Sequence, residues 1–273
     1  MTEFAGAAFV RSLPWTAAAV IAVALGAFVA ARVTGRNNVV DTAWGLMFVA
    51  AGATAFGLSA GHGAPSRRWL LLLMVAVWGV RLAVHLGRRS AGRGEDPRYD
   101  KLLATGLRNR TLNAALKIFL AQAVLAFVIS APIQVGAFES GPIGAVGAIG
   151  ALVWAVGLFF EATGDAQLQR YVTWKRAQPP DQVETSVMDR GLWRYTRHPN
   201  YFGDACVWTG LFLVTAQRWP GVLTFPALAL MIFLLTFGSG MRNLERHMAA
   251  RPGYREYRRR TSGFVPLPPR RSR

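Results

Sequence analysis

Cysteine is almost missing from this chain: Cys206 is the single one among 273 residues. That excludes an internal disulfide and a thiolate metal cluster. Histidine is nearly as scarce. His62, His85, His198 and His247 are scattered, and no two stand three or four residues apart. A histidine-rich di-iron site or a helical zinc-protease motif is therefore not expected, and no metal site is read. No Gly-x-Gly-x-x-Gly run occurs, which speaks against a Rossmann nucleotide domain. Charge is thin as well. Charged residues make up 16% of the chain, where a soluble domain carries about 25%.

Apolar residues fill the gap, at 52% of the total. Seven runs approach the roughly 20 residues needed to cross a hydrocarbon core: about 14–33, 39–60, 69–87, 112–134, 142–163, 201–218 and 220–240. The expected fold is an all-α polytopic membrane protein with about seven transmembrane helices, forming a single transmembrane domain over 1–273. The first run is long and lacks a cleavage context, so it reads as a span and not as a signal peptide.

The charge that remains is lopsided, with 31 Lys and Arg against 14 Asp and Glu. With the N-terminus placed outside, 25 basic residues fall on the inner side and four (Arg11, Arg67, Arg68 and Arg218) on the outer. This is the positive-inside bias, and it orients the chain N-out, C-in. The basic excess then serves topology and anionic lipid contact. No nucleic-acid-reading module accompanies it, so no nucleic-acid partner is expected.

On this topology the in-span ionisable residues gather at one depth. Asp41, Arg81, His85, Lys117, Glu161, Asp165, Asp204, Arg242 and Glu245 all lie toward the cytoplasmic ends, and the outer halves of the spans are nearly bare of charge. Intramembrane charges are costly and generally face a cavity or a partner, so a shared polar pocket open to the cytosol is expected. Simpler roles stay open for the single residues. Asp41 can cap a helix. Arg81 and His85, one turn apart, can anchor a span by snorkelling. Glu161, Asp165 and Gln169 fall at i, i+4 and i+8 and form one polar stripe. Arg242, Glu245 and Arg246 can form a surface charge ladder. Arg258 to Arg260 read as an electrostatic anchor.

One stretch is more than a basic flank: "LWRYTRHPNYFGDACVWTG", residues 192–210. Pro199 removes a backbone donor and disfavours helix at His198, so the chain breaks there. Asn200 and Asp204 share a face at i, i+4, with Tyr195 and Tyr201 between the basic residues. An anchor needs Arg or Lys alone.

These residues carry a family resemblance. "GLWRYTRHPNYFGDACVWTGLFL", the "E…D.Q" pattern on the preceding span and "SGMRNLERH…YREYRRRTSGFVP" after it resemble the steroid 5-alpha-reductase superfamily. "EDPRY" at 95–99 and "VDTAWG" at 40–45 resemble signatures of its bacterial membrane branch. The resemblance implies a membrane-embedded, NADPH-dependent reductase of a carbon–carbon double bond in a lipid or steroid-like substrate. It implies substrate-side helices over about 1–111 and an NADPH-binding half over about 112–273. It also implies a cofactor role for Glu161, Asp165, Asn200, Tyr201, Asp204, Arg242 and Tyr257. Arg81, Tyr195, His198 and Glu245 join that set from the same motifs and the same polar zone.

The family's steroid-facing Tyr has no counterpart in "VAVWGVRLAVHLGRR", which offers Trp78 and His85. For a reductase, Asp41 or His85 is the expected catalytic acid. The expected location is a bacterial inner membrane, with the cofactor site facing the cytoplasm. "RHPNY" with the later "Y..Y" is also similar to isoprenylcysteine carboxyl methyltransferases, which use S-adenosylmethionine. Asn200, "GD", "EDPRY" and "E…D.Q" favour the reductase side.

Overall fold

The computed structural model describes residues 4–92, 94–179, 183–238 and 240–270. The middle of the connector "AQPPDQVETSVMDRG", 180–182, lies outside the described residues. Alanine- and valine-rich runs fold into α1 (Gly6–Thr34), α2 (Val39–Leu58) and α3 (Pro65–Ser90). α1 ends where Gly35 takes a left-handed conformation at φ +70°, the usual stop for a helix. α3 starts on Pro65, whose missing N–H has no helical acceptor to lose. α4 (Pro97–Leu103) and α5 (Arg110–Ala114) follow. A π-helical turn (Ala115–Leu120), α6 (Ala121–Ile129) and α7 (Ala131–Gly136) come next. α8 (Ala145–Arg176) is 32 residues long, about 48 Å. Beyond it come a short turn at Gly191–Arg194, α9 (Pro199–Ala216), α10 (Phe225–Thr236), α11 (Met241–Met248) and α12 (Tyr254–Arg260).

Among the described residues there is no strand, only the isolated bridges Phe4–Glu139 and Thr196–Ser262. Six helical segments are long and apolar enough to cross a membrane: Gly6–Thr34, Val39–Leu58, Pro65–Ser90, Arg110–Ile129, Ala145–Arg176 and Gly221–Met248. The chain is an all-α polytopic membrane protein. The run expected at 201–218 forms α9, 18 residues long. Its Pro199, Asn200 and Asp204 make it more polar than the six. α8 continues 13 residues past the expected end at 163, so Glu161 and Asp165 sit within a helix and not at its exit.

The chain divides into two compact units: Met1–Ala148 with Leu211–Ala227, and Ile149–Gly210 with Leu228–Arg273. In the first unit α2 and α3 pack backbone to backbone. A Cβ built on Gly79 would sit 2.6 Å from the Gly45 carbonyl oxygen, so only glycine fits, as in other close helix crossings in membranes. Phe48 and Trp78 fill the core beside that crossing, with rings 5.6 Å apart.

The outer halves of the spans are expected to be nearly bare of charge, and one buried ion pair stands at the Pro65 end of α3. Arg67, counted as an outer-loop residue, lies in the first turn of α3 and pairs with Glu139 at 3.2 Å. Both side chains are 0% exposed. Arg67 also donates to the carbonyls of Ser140 and Pro142. Pairing and backbone acceptors are what allow an arginine to be buried.

Candidate functional site

The second unit is organised by a glycine seam between α8 and α9. A Cβ on Gly203 would lie 2.5 Å from both Glu161 N and Gly157 O, and one on Gly210 would lie 2.5 Å from Gly150 O. A Cβ on Gly164 would meet Pro199 Cγ at 3.1 Å. Three glycine contacts along one helix pair draw the two backbones together. The seam sets the buried Asp165 opposite Asn200, whose Nδ2 donates to Asp165 Oδ1 at 3.2 Å. Glu161 is buried one turn earlier, and Asp204 stands one turn beyond Asn200.

The expected stripe stops at Asp165, because Gln169 is exposed. Gln167 acts in its place, its Oε1 accepting from the Leu192 N–H at 3.0 Å. Trp193 Nε1 donates to the Gly164 carbonyl at 3.0 Å. Both bonds hold the segment 191–198 against α8.

The chain breaks at His198, and Pro199 opens α9. This break aims Arg197 and His198 at α11. Glu245 Oε1 accepts from Arg197 Nε at 2.7 Å and from the Tyr254 hydroxyl at 2.9 Å. His198 Nε2 lies 2.9 Å from the same oxygen. The His198 ring is buried and stacks on Tyr201, with centroids 5.5 Å apart. Arg197 Nη1 also donates to the Thr261 carbonyl at 2.5 Å. Thr196 Oγ1 donates to the Phe264 carbonyl at 2.8 Å, and Tyr257 donates to the Trp193 carbonyl at 2.6 Å. Burial pushes both phenols, Tyr254 and Tyr257, above their ordinary range, and the Glu245 carboxylate adds to the shift.

Glu245 and Tyr257 therefore hold the site together. Tyr195 has an exposed ring, and its carbonyl accepts from Leu267 N. The segment after α12 is thus bonded to the 192–198 stretch. Arg258 to Arg260 are correspondingly not a plain lipid anchor: Arg260 pairs with Asp189, and Arg258 lines a cavity.

That cavity, about 350 Å³, is walled by Arg197, Arg242, Arg246, Arg258 and Glu245, with Thr236 and Phe237 beside them. Arg197 is spent on Glu245. The guanidinium groups of Arg242, Arg246 and Arg258 have no ion pair or hydrogen bond with any described residue. Four arginines against one carboxylate make a strongly positive pocket. Such a lining suits a ligand with several phosphate charges, since arginine binds phosphate through paired N–H donors.

In the first unit the two signature stretches clasp each other. Asp41, in the first turn of α2, accepts from the Tyr99 hydroxyl at 2.5 Å and from Arg98 at 3.3 Å. Glu95 accepts from Asn37 N at 2.5 Å, Asn37 Nδ2 at 2.8 Å and Asn38 N at 3.1 Å. It thereby ties up the start of α2. Burial and the Asp41 carboxylate push the Tyr99 phenol well above its ordinary range. Asp96 caps α4, and burial there is outweighed by N–H bonds from Arg98, so its carboxyl sits below the usual range. Tyr99 is the residue sequence reasoning missed, because it lies 58 positions from Asp41. Arg81 and His85 sit half-buried on α3, one turn apart.

No curated protein and no solved structure matches the chain. A family model described as "Protein of unknown function (DUF1295)" matches residues 27–261. That span takes in the α2–α4 clasp, the α8–α9 seam and the arginine cavity, and the chain is a member of the DUF1295 family.

Proposed function

We propose that this protein is an integral membrane, NADPH-dependent reductase of an enone-type carbon–carbon double bond in a lipid or steroid-like substrate. The observation that carries the reading is the cavity in which Arg242, Arg246 and Arg258 have no partner among the described residues. The donor set fits NADPH. Arg242, Arg246 and Arg258 would hold its phosphates. Asn200, with Asp165 and Glu161 behind it, offers the amide and carboxylate groups that hold ribose hydroxyls and a carboxamide. The reduced nicotinamide supplies the hydride for one carbon of the double bond. A proton on the other carbon completes the reduction, and Asp41 or His85 is the acid we assign to it, with Tyr99 orienting Asp41.

The sequence signatures point the same way, through the resemblance to steroid 5-alpha-reductases. The resemblance to the bacterial branch points to a bacterial inner membrane, and the charge distribution supports a cytoplasmic side for the cavity. The substrate is then a lipophilic small molecule that arrives through the membrane. A methyltransferase reading fits the cavity less well, because S-adenosylmethionine carries a sulfonium cation and four arginines repel it.

The test is thermal unfolding of the detergent-purified protein with NADPH, NADP⁺ or S-adenosylmethionine. NADPH at 100 times its dissociation constant should add about 2.7 kcal/mol of stability. Stabilisation by S-adenosylmethionine alone, or by none of the three, would overturn the proposal.

A further inference from the structure

A second cavity, about 270 Å³, lies within the first unit. It is framed by the end of α1 (Arg32, Gly35), the start of α2 (Asn37), Glu95, and the facing residues Asp100 and Arg110. α1, α2 and the Arg110–Ile129 segment are all membrane-length. A cavity among their ends therefore sits at the level of the lipid headgroups and not in the hydrocarbon core. The volume lies below the range of about 300–1,000 Å³ typical of whole drug-sized ligands. It suits a headgroup.

The charges on its wall cancel: two arginines, Arg32 and Arg110, stand with two carboxylates, Glu95 and Asp100. Arg32 has no ion pair or hydrogen bond with any described residue. Glu95 is fixed in place by the N–H groups of Asn37, Asn38 and Asp96. Its charge cannot swing away to meet Arg32. Arg110 and Asp100 pair at 2.9 Å, but both are largely exposed. Such a pair is weak and exchanges readily with a ligand. Just outside, Val33, Leu112 and Leu116 present exposed apolar surface on the framing helices, as acyl chains require.

We propose that this cavity binds the headgroup of a zwitterionic, ammonium-bearing phospholipid. Arg32 and Arg110 take its phosphate, and Asp100 and Glu95 face its ammonium. A net-neutral wall with one unsatisfied cation, one fixed carboxylate and one exchangeable ion pair matches a net-neutral headgroup. An anionic lipid brings no ammonium to the two carboxylates, and they stand beside its charge. This inference is independent of the reductase reading and survives its failure.

The test uses the full chain, purified in detergent and stripped of lipid, with adducts counted by native mass spectrometry. Dioleoyl phosphatidylethanolamine should be retained as a discrete one-to-one adduct, about tenfold more than dioleoyl phosphatidylglycerol at equal concentration. Arg32→Gln, at an exposed position, should lower that retention about tenfold. Asp100→Asn should lower retention of the ethanolamine lipid and raise that of the glycerol lipid. Equal or better retention of phosphatidylglycerol by the unmodified protein would overturn the proposal, as would unchanged binding in both variants. Glycerophosphoethanolamine, the headgroup without chains, separates the sources: binding as tight as that of the intact lipid would also overturn the assignment to a phospholipid.

Discussion

The two cavities differ in how their charges are balanced. In the second unit, four arginines face one carboxylate, and that carboxylate is already shared by Arg197, His198 and Tyr254. In the first unit, two arginines face two carboxylates. One wall carries surplus positive charge held open by the fold, and the other is close to neutral. Both arise in a chain with the same overall basic excess. Net charge alone therefore says little about what a membrane protein of this kind binds. The informative quantity is how many cations the fold leaves without a partner at one place.

The largest effect should come from removing that surplus. Arg242→Gln combined with Arg246→Gln should weaken NADPH binding at least about 100-fold, since each charge-assisted bond contributes about 1.5–3 kcal/mol. Titration of the purified protein by calorimetry checks this. Retention of lipid by the first-unit cavity should not change in the same variant.

Next is a contrast between two buried carboxylates. Arg67→Ala removes the paired charge from Glu139, whose side chain is fully buried, and should cost about 3–5 kcal/mol of unfolding free energy. The Glu245 carboxylate is itself 14% exposed, so Glu245→Ala should cost less, while abolishing the NADPH response. Thermal unfolding of the two variants, each with and without NADPH, separates a charge spent on the fold from one spent on a site.

A smaller change is expected for Tyr99→Phe. It removes the hydroxyl that Asp41 accepts from and should cost about 1 kcal/mol. If Asp41 is the acid, turnover should fall more than stability does, and Asp41→Asn should fall further.

The smallest effect is a pH dependence. The Asp96 carboxyl lies below its ordinary range in the folded chain, so its contribution is fully present above the unfolded aspartate value. It is lost as pH falls through the depressed folded value. A gentle loss of thermal stability on acidification, absent in Asp96→Asn, checks the sign.

Much of the second unit could be read from local spacing. Pro199 marked the break, Asn200 and Asp204 marked the start of α9, and Glu161 with Asp165 marked a buried face of α8. These are i, i+4 relations, which a helix enforces whatever surrounds it. Contacts between distant stretches could not be read in the same way. Glu245 meets His198 across 47 positions, Tyr99 meets Asp41 across 58, and Arg67 meets Ser140 across 73. Nothing in the pattern distinguishes Glu245, which gathers donors, from a member of a surface charge ladder. The same holds for Gln169, which fits the stripe by spacing yet faces outward, while Gln167 turns in to cap the 191–194 turn. Arg67 misled for a similar reason. A basic residue between two spans counts only toward topology until a carboxylate from another loop is found against it.

The interleaving of residues 192–198 with residues 245–267 bears on biogenesis. Arg197, His198 and Tyr195 emerge from the ribosome with α9, but their acceptors and donors follow later: Glu245, Thr261 and Leu267. Until then Arg197 and His198 enter the bilayer surface unsatisfied and must rely on water or headgroups for partners. The arginine-walled cavity is thus among the last parts to assemble. A nascent chain would be held in the membrane well before that cavity is complete.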